Sequence, residues 1–147
     1  MKTLWDVSDR RGLQERLATL APDRPAQWGG MNAPRMVAHL VDSMRMTIGD
    51  LPTEMKSGPL RYPGLKHLIV YLLPWPKGTP TAPELLTRPP GDWSGDLAEL
   101  QRLIDRFAAR DRSAQFPLHP AFGRLSSRAW GVLAYRHIDH HLRQFNV

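Results

Sequence analysis

Three of the six histidines lie within five positions near the C-terminus, in residues 136–145. If this stretch is helical, each residue advances about 100°, so His141 lies about 40° from His137 and one turn further on. His140 falls about 60° to the other side of His137, and Asp139 points roughly away from the pair. His137 and His141 are therefore the pair that could bind one metal ion together, with His140 as the weaker alternative.

The pair could also be two core histidines that bond to the backbone or to a carboxylate, because the H-x-x-x-H spacing often occurs by chance. A third ligand elsewhere would decide between these interpretations. His39 is the candidate, since it lies among Met36, Leu40 and Met44 on the apolar side of a predicted helix. A lone histidine there is usually a core residue. Here, however, the His137–His141 pair lacks a third ligand, so a ligand is the favoured interpretation of His39.

Three further residues could take part in chemistry. Asp42 follows His39 by about one turn, where it could orient an imidazole or serve as an acid or base. Its alternative is a plain surface carboxylate. His119 lies between prolines in a predicted loop and is expected to be structural, and His67 is expected to be exposed. Asp42 is thus the one candidate for a catalytic residue, and a weak one.

The amino-acid composition excludes several kinds of functional site. The chain has no cysteine, which excludes disulfides, thiolate nucleophiles and cysteine-type zinc sites. Any metal must be held by nitrogen and oxygen, and imidazole suits zinc or nickel. The net charge of +6 comes mainly from arginines scattered along the chain, without a basic run interleaved with aromatics. Nucleic-acid binding is therefore a hypothesis from composition alone, and we do not expect it.

The length of 147 residues predicts a single domain over residues 1–147. The first residues lack the apolar run of a signal peptide, and no stretch approaches the roughly 20 apolar residues of a membrane span. We therefore expect no membrane association and a cytoplasmic protein. Trp5, Trp75 and Trp93 are more than one bundle of this size readily buries, which favours a homodimer.

Apolar residues recur at helical spacing, and no strand-like alternation of any length occurs. The fold class predicted is all-α: a four-helix bundle with an extra short helix and long proline-rich loops. The short helix is expected within residues 64–73, and the clearest amphipathic helix within residues 92–110. Trp75 begins a proline-rich segment that we expect to be an ordered crossover or lid. The predicted helix caps are Ser8, Asn32 and either Ser126 or Ser127.

Several motifs recur in a characteristic order along nearly the whole chain. They are Trp28-Gly29-x-Met31 leading into Met36-x-x-His39, Pro74-Trp75-Pro76-Lys77-Gly78 with Pro83-Glu84, His119-Pro120-x-Phe122-Gly123, and His137-x-Asp139-His140-His141-Leu142-Arg143-Gln144-Phe145. With them the chain resembles the DinB/YfiT-like superfamily, and within it a subgroup catalogued as a domain of unknown function. The resemblance implies a bundle that binds a divalent metal through His39, His137 and His141. It also implies a low-molecular-weight thiol such as bacillithiol or mycothiol as cosubstrate.

Three functions remain open at this point. The first is a metal-dependent enzyme acting on a small-molecule substrate, either a small-thiol-dependent S-transferase or a hydrolase. Three imidazoles leave a coordination position open for such chemistry. The second is a non-catalytic bundle with a structural metal or histidine cluster, and the third is a basic nucleic-acid-binding module. A solvent-reachable cavity at the histidines would separate the first from the second.

Overall fold

The computed structural model describes residues 1–75, 77 and 83–147, and its secondary structure is helical. Short 3-10 turns occupy Pro59–Arg61 and Pro83–Leu86. Within the described residues no strand forms, and the one β-type pairing is a bridge between His119 and Gly123. The predicted all-α bundle, with four longer helices and one short helix, is confirmed. The helices are α1 (Val7–Ala18), α2 (Ala33–Ile48), α3 (Pro63–His67), α4 (Trp93–Ala108) and α5 (Ser127–Gln144).

The ends of the long helices show how local sequence starts and stops them. Asn32 caps α2 by accepting from the Arg35 amide, and Ser126 caps α5 by accepting from the Ala129 amide, as predicted. The prediction for α1 is wrong, because the cap is Asp6 and the Ser8 hydroxyl donates to Asp6. A carboxylate accepts hydrogen bonds from the free amides in the first turn of a helix and also interacts favourably with the helix dipole.

The core forms where α2 packs against α4 and α5, and α1 packs against α5 and α4. Nearly every side chain of α2 is buried, because this helix is covered from several sides. The N-terminal segment also lies on α5, where Trp5 Nε1 donates to the Ser127 carbonyl at 2.8 Å. A Cβ at Gly131 would collide with the Trp5 ring. Glycine at this position therefore allows the segment to approach α5.

The predicted short helix is present and continues from α3 into a wider π-type turn, Leu68–Leu72. The last carbonyls of a helix lack partners within it. Here Arg136 of α5 is their hydrogen-bond partner. It donates to the carbonyls of Ile69 and Val70 at 2.9 and 2.7 Å and also to that of Leu73. This contact fixes the segment beside the turn of α5 that carries His137.

Residues 83–88 pass close to α2 and are held by arginines. Arg35 donates to the carbonyls of Leu86 and Arg88. Arg88 in turn lies 3.2 Å from an Asp42 oxygen and 2.9 Å from an Asp96 oxygen. The segment is thereby connected to both α2 and α4. Residues 76 and 78–82 of the expected crossover or lid lie outside the described residues.

None of the described helices combines the length and apolar character needed to cross a lipid bilayer.

Candidate metal centre

Three histidines converge between α2 and α5. His39 comes from α2, and His137 and His141 come from successive turns of α5. The distances between ring centroids are 5.0 Å for His39–His137, 5.0 Å for His39–His141 and 4.9 Å for His137–His141. One nitrogen of each ring lies within 4.8 Å of the others. The rings thus form a nearly equilateral triangle that could hold a metal ion.

Two of the rings are held through Nδ1 by groups that accept hydrogen bonds. His39 Nδ1 lies 3.2 Å from the Leu85 carbonyl, and His141 Nδ1 lies 2.9 Å from the side-chain oxygen of Gln144. The Gln144 amide nitrogen donates to the Trp28 carbonyl at 2.7 Å, which orients its oxygen towards His141. Both imidazoles therefore donate from Nδ1. A neutral ring in that tautomer has its lone pair on Nε2, as a metal ligand requires.

His137 differs from the other two rings because its hydrogen-bond partner is a hydroxyl group. Ser43 Oγ lies 2.9 Å from His137 Nδ1, and a hydroxyl can donate or accept. His137 Nε2 faces His39 Nε2 at 3.1 Å. Because neutral His39 carries its proton on Nδ1, the proton of a hydrogen bond between these two nitrogens belongs to His137 Nε2. Two imidazole nitrogens that bind one tetrahedral zinc ion at about 2.0–2.1 Å lie roughly 3.3 Å apart. The donor atoms and their spacing therefore fit a divalent ion.

The protein environment keeps these rings neutral. Burial lowers the pKa of His39, and it lowers the pKa of His141 to about 3. Burial also holds the pKa of His137 well below its usual value, and the neighbouring His141 and His39 add to the effect. A charged imidazole loses hydration in such a place, whereas a neutral one loses less. At neutral pH all three rings can therefore offer a lone pair.

A cavity of about 660 Å³ opens onto the three histidines. Its walls come from α2, α5, the turn at residues 119–122, and the segments that contain Trp28 and Trp75. These walls are mostly apolar. No aspartate or glutamate belongs to the lining formed by the described part of the chain. A small molecule can therefore reach the triangle, and histidine and lysine are the titratable side chains that it would meet.

His140 lines the same cavity but lies outside the triangle. Its ring centroid is 5.9 Å from that of Trp28, 6.0 Å from that of Trp75 and 5.4 Å from that of His141. Trp75 is partly buried against the core, and its ring lies 5.6 Å from that of His137, so it packs onto the bundle. Burial lowers the pKa of His140, so this ring too is neutral near pH 7.

Asp42 contacts arginines. It is 5 % exposed, so the surface-carboxylate alternative is wrong. One of its oxygens lies 3.2 Å from Arg88 Nε and 3.9 Å from Arg45 Nη1, and the residue does not line the cavity. The contact with Arg88 connects α2 to residues 83–88 and gives Asp42 a structural task. The acid, base or imidazole-orienting role considered from the sequence stays a prediction.

The remaining polar residues singled out from the sequence lie apart from the triangle. Asp139 points away from the pair, as predicted, and forms ion pairs with Arg16 at 2.6 Å and Arg143 at 2.9 Å. His67 is exposed, as predicted. His119 Nδ1 accepts hydrogen bonds from the amides of residues 121 and 122, a structural role of the kind expected, and its ring also lines the cavity.

Sequence reasoning missed the groups that hold the rings. Gln144 follows His141 by three residues, so helical spacing could have indicated that contact. Helical spacing also places Ser43 on the same side of α2 as His39, but its contact with His137 joins two helices and has no local signal. The Leu85 carbonyl could not have been found this way. It lies 46 residues from His39, and a backbone carbonyl leaves no mark in the sequence.

Comparison with known protein families gives a match over nearly the whole chain. A family model described as a protein of unknown function (DUF1569) matches residues 7–147. No curated protein and no solved structure matches the chain.

Proposed function

The chain belongs to the DUF1569 family, and we propose that this member is a single-domain, divalent-metal-dependent enzyme that transfers a group to a low-molecular-weight thiol. His39, His137 and His141 are the proposed ligands of a zinc or nickel ion. The observation that carries the proposal is the cavity, onto which three oriented, neutral imidazoles open. A purely structural metal site needs no such access. The resemblance to the DinB/YfiT-like superfamily supports the same assignment.

Three protein ligands leave a coordination position for a small molecule. When bound, the ion would act as a Lewis acid and lower the pKa of a thiol beside it. The protein's own residues orient the ligands and form the cavity. The Leu85 carbonyl and the side chains of Ser43 and Gln144 hold the imidazoles in place, and Trp28 and Trp75 line the cavity beside His140.

His140 is the proposed proton acceptor. Its ring lines the cavity 5.4 Å from the His141 ring, and its lowered pKa leaves it neutral at pH 7, so that a ring nitrogen can accept a proton. It would take the proton of the thiol S–H group while the sulfur electron pair forms a bond to an electrophilic carbon. The bond from that carbon to the leaving group breaks, and the leaving group departs with that electron pair. The proton on His140 is then available to the leaving group.

The lining favours a thiol over water as the nucleophile. A thiol has an ordinary pKa of about 8.5, so it needs little help to ionise near neutral pH. Water has a far higher pKa and needs more help to ionise, and hydrolases with metal-bound water commonly add a carboxylate base. Among the described lining residues no carboxylate is present. A hydrolase, the alternative reading of the site, would have to rely on His140.

Cobalt substitution tests the proposal. Addition of bacillithiol, mycothiol, glutathione or a simple thiol to the cobalt-loaded protein should produce a sulfur-to-metal charge-transfer band. His39→Ala should abolish it, because this change removes a ligand without altering α5, and the exposed His67→Ala is the matched control that should retain it. If cobalt binds but no thiol perturbs its spectrum, the transferase assignment is wrong and the hydrolase becomes the better account.

A further inference from the structure

Trp130 carries a buried donor without an acceptor. The side chain is 1 % exposed, and its Nε1–H has no hydrogen-bond partner among the described residues. Burying an N–H in this way costs free energy, so buried donors are nearly always paired. Trp130 also belongs to the lining of the cavity that the three histidines share. A molecule in the cavity could therefore supply the missing acceptor.

His119 offers a second donor beside it. The centroids of the two rings are 5.3 Å apart, and both rings line the cavity. His119 Nδ1 accepts from the backbone amides of Ala121 and Phe122 at 3.1 and 3.2 Å, and these groups can only donate. Nδ1 must then hold a lone pair, which places the proton of the neutral ring on Nε2. That N–H has no partner among the residues that the structure describes.

These donors lie at a defined distance from the triangle. Trp130 precedes His137 by seven residues on α5, or about two turns, so the two side chains share a face about 10 Å apart along the helix. Between them, Leu133 and Ala134 form part of the cavity wall, and both are apolar. The cavity is therefore a path with metal-binding groups at one end, an apolar middle and two N–H donors further along.

We propose that His119 and Trp130 form a recognition site for a carbonyl or carboxylate oxygen of the substrate. The substrate would be elongated and mainly apolar, with its reacting end at the histidine triangle and its oxygen acceptor about 10 Å away. The position of the reacting end rests on the proposed metal-dependent function, whereas the acceptor site does not. Lys56, which also lines the cavity, can add a positive charge for a carboxylate.

The acceptor site can be tested on metal-free protein by indole N–H resonances of the 15N-labelled chain. The chain has five tryptophans, and Trp130→Phe identifies the resonance of interest. Hexanamide and hexanoate should shift that resonance downfield, and each should bind at least about fivefold more tightly than 1-chlorohexane, which lacks a good acceptor. His119→Phe should reduce this preference in a protein that keeps Trp130 as the reporter. Trp93→Phe, outside the cavity lining, is the matched control.

Two results would overturn the acceptor site. One is binding of the amide and the carboxylate no tighter than that of the chloroalkane. The other is binding that leaves the Trp130 resonance unmoved. If hexanoate binds more tightly than hexanamide and Lys56→Gln removes the difference, the site takes carboxylates. If the two bind equally, a neutral carbonyl suffices. Both results support the site.

A second measurement separates this proposal from the enzyme proposal. In the cobalt-loaded protein, ω-mercaptoalkanoates of increasing length should bind best near eight carbons, the length that spans about 10 Å, and alkanethiols should lack this optimum. If no thiol reaches the metal but hexanamide still shifts Trp130, the thiol-transfer function fails and the acceptor site stands. If thiols bind without any length optimum and hexanamide has no effect, the acceptor site fails alone.

Discussion

Gln144 accepts a hydrogen bond from His141 and donates one to the chain at Trp28, over distances of 2.9 and 2.7 Å. The next residue, Gly29, has a φ of +79°, and a Cβ there would lie 2.7 Å from the Gln144 amide nitrogen. The orientation of a proposed metal ligand therefore depends on a side chain one turn later in α5 and on a glycine in a different segment.

Gln144→Met should lower metal affinity by about 10- to 100-fold, because the outer partner of a metal-bound histidine fixes its tautomer and orientation. Competition with a chromophoric chelator measures the change. Gln101→Met on α4, which does not line the cavity, is the control and should leave affinity unchanged. Wild-type affinity in Gln144→Met would mean that His141 needs no such support or is not a ligand.

Replacement of single histidines should divide them into two groups. His39→Ala, His137→Ala and His141→Ala should each lose the ion, expected at about one per chain, since two imidazoles hold a divalent ion much less tightly than three. His140→Ala should keep it, because its ring lies outside the triangle. Elemental analysis of untagged, remetallated protein gives the stoichiometry. Equal loss in all four variants would show that the ligands are misassigned, and a wild type that takes up almost no metal would refute the site.

The metal-free protein should lose stability as the pH falls from about 6.5 towards 4. The buried histidines have lowered pKa values, so the unfolded chain binds more protons than the folded one in this range. Their contribution is complete above pH 6.5 and is lost progressively below it. For His119, with its pKa lowered from 6.5 to about 4, the loss amounts to roughly 3 kcal/mol.

Urea denaturation with chelator present, at steps between pH 7.5 and 4.5, measures this loss. The range ends near the ordinary pKa of carboxylates, which keeps their contribution small. His119→Phe removes one of the titrating groups and should flatten the dependence, while the exposed His67→Ala should not. A free energy of unfolding that stays constant across the range would show that the histidines are not neutralised by burial.

The chain is predicted to form a homodimer through α3 and the following turn. Trp5, Trp75 and Trp93, which prompted the expectation, are each partly buried against the core. Apolar exposure is instead concentrated along another segment, at Tyr62 (70 %), Leu68 (42 %), Leu72 (61 %) and Leu73 (45 %). A group of exposed apolar side chains of this kind often marks a protein–protein contact.

Sedimentation over a wide concentration range tests this dimer. Leu72→Glu should shift the equilibrium to monomer, since a charge would be buried in the contact. Val7→Glu, at an equally exposed apolar residue on α1, should not. A wild type that stays monomeric at every concentration would contradict the prediction.

The sequence by itself determined the helices and the direction of the histidine pair. Apolar spacing indicated the four longer helices, and Asn32 and Ser126 marked two of their starts, because these signals act over one or two turns. The i, i+4 spacing of His137 and His141 places both on one side of any α-helix, whatever surrounds it. Such relations need no knowledge of the rest of the chain.

Tertiary structure decided what each of these side chains meets. Asp42 is paired with Arg88, which lies 46 residues away in the chain, and the Leu85 carbonyl reaches His39 over the same separation. The approach of Trp130 to His119 likewise depends on how the turn at 119–122 folds against α5. Contacts of this kind follow from the packing of distant segments and from backbone groups common to every residue, so no local pattern in the sequence records them.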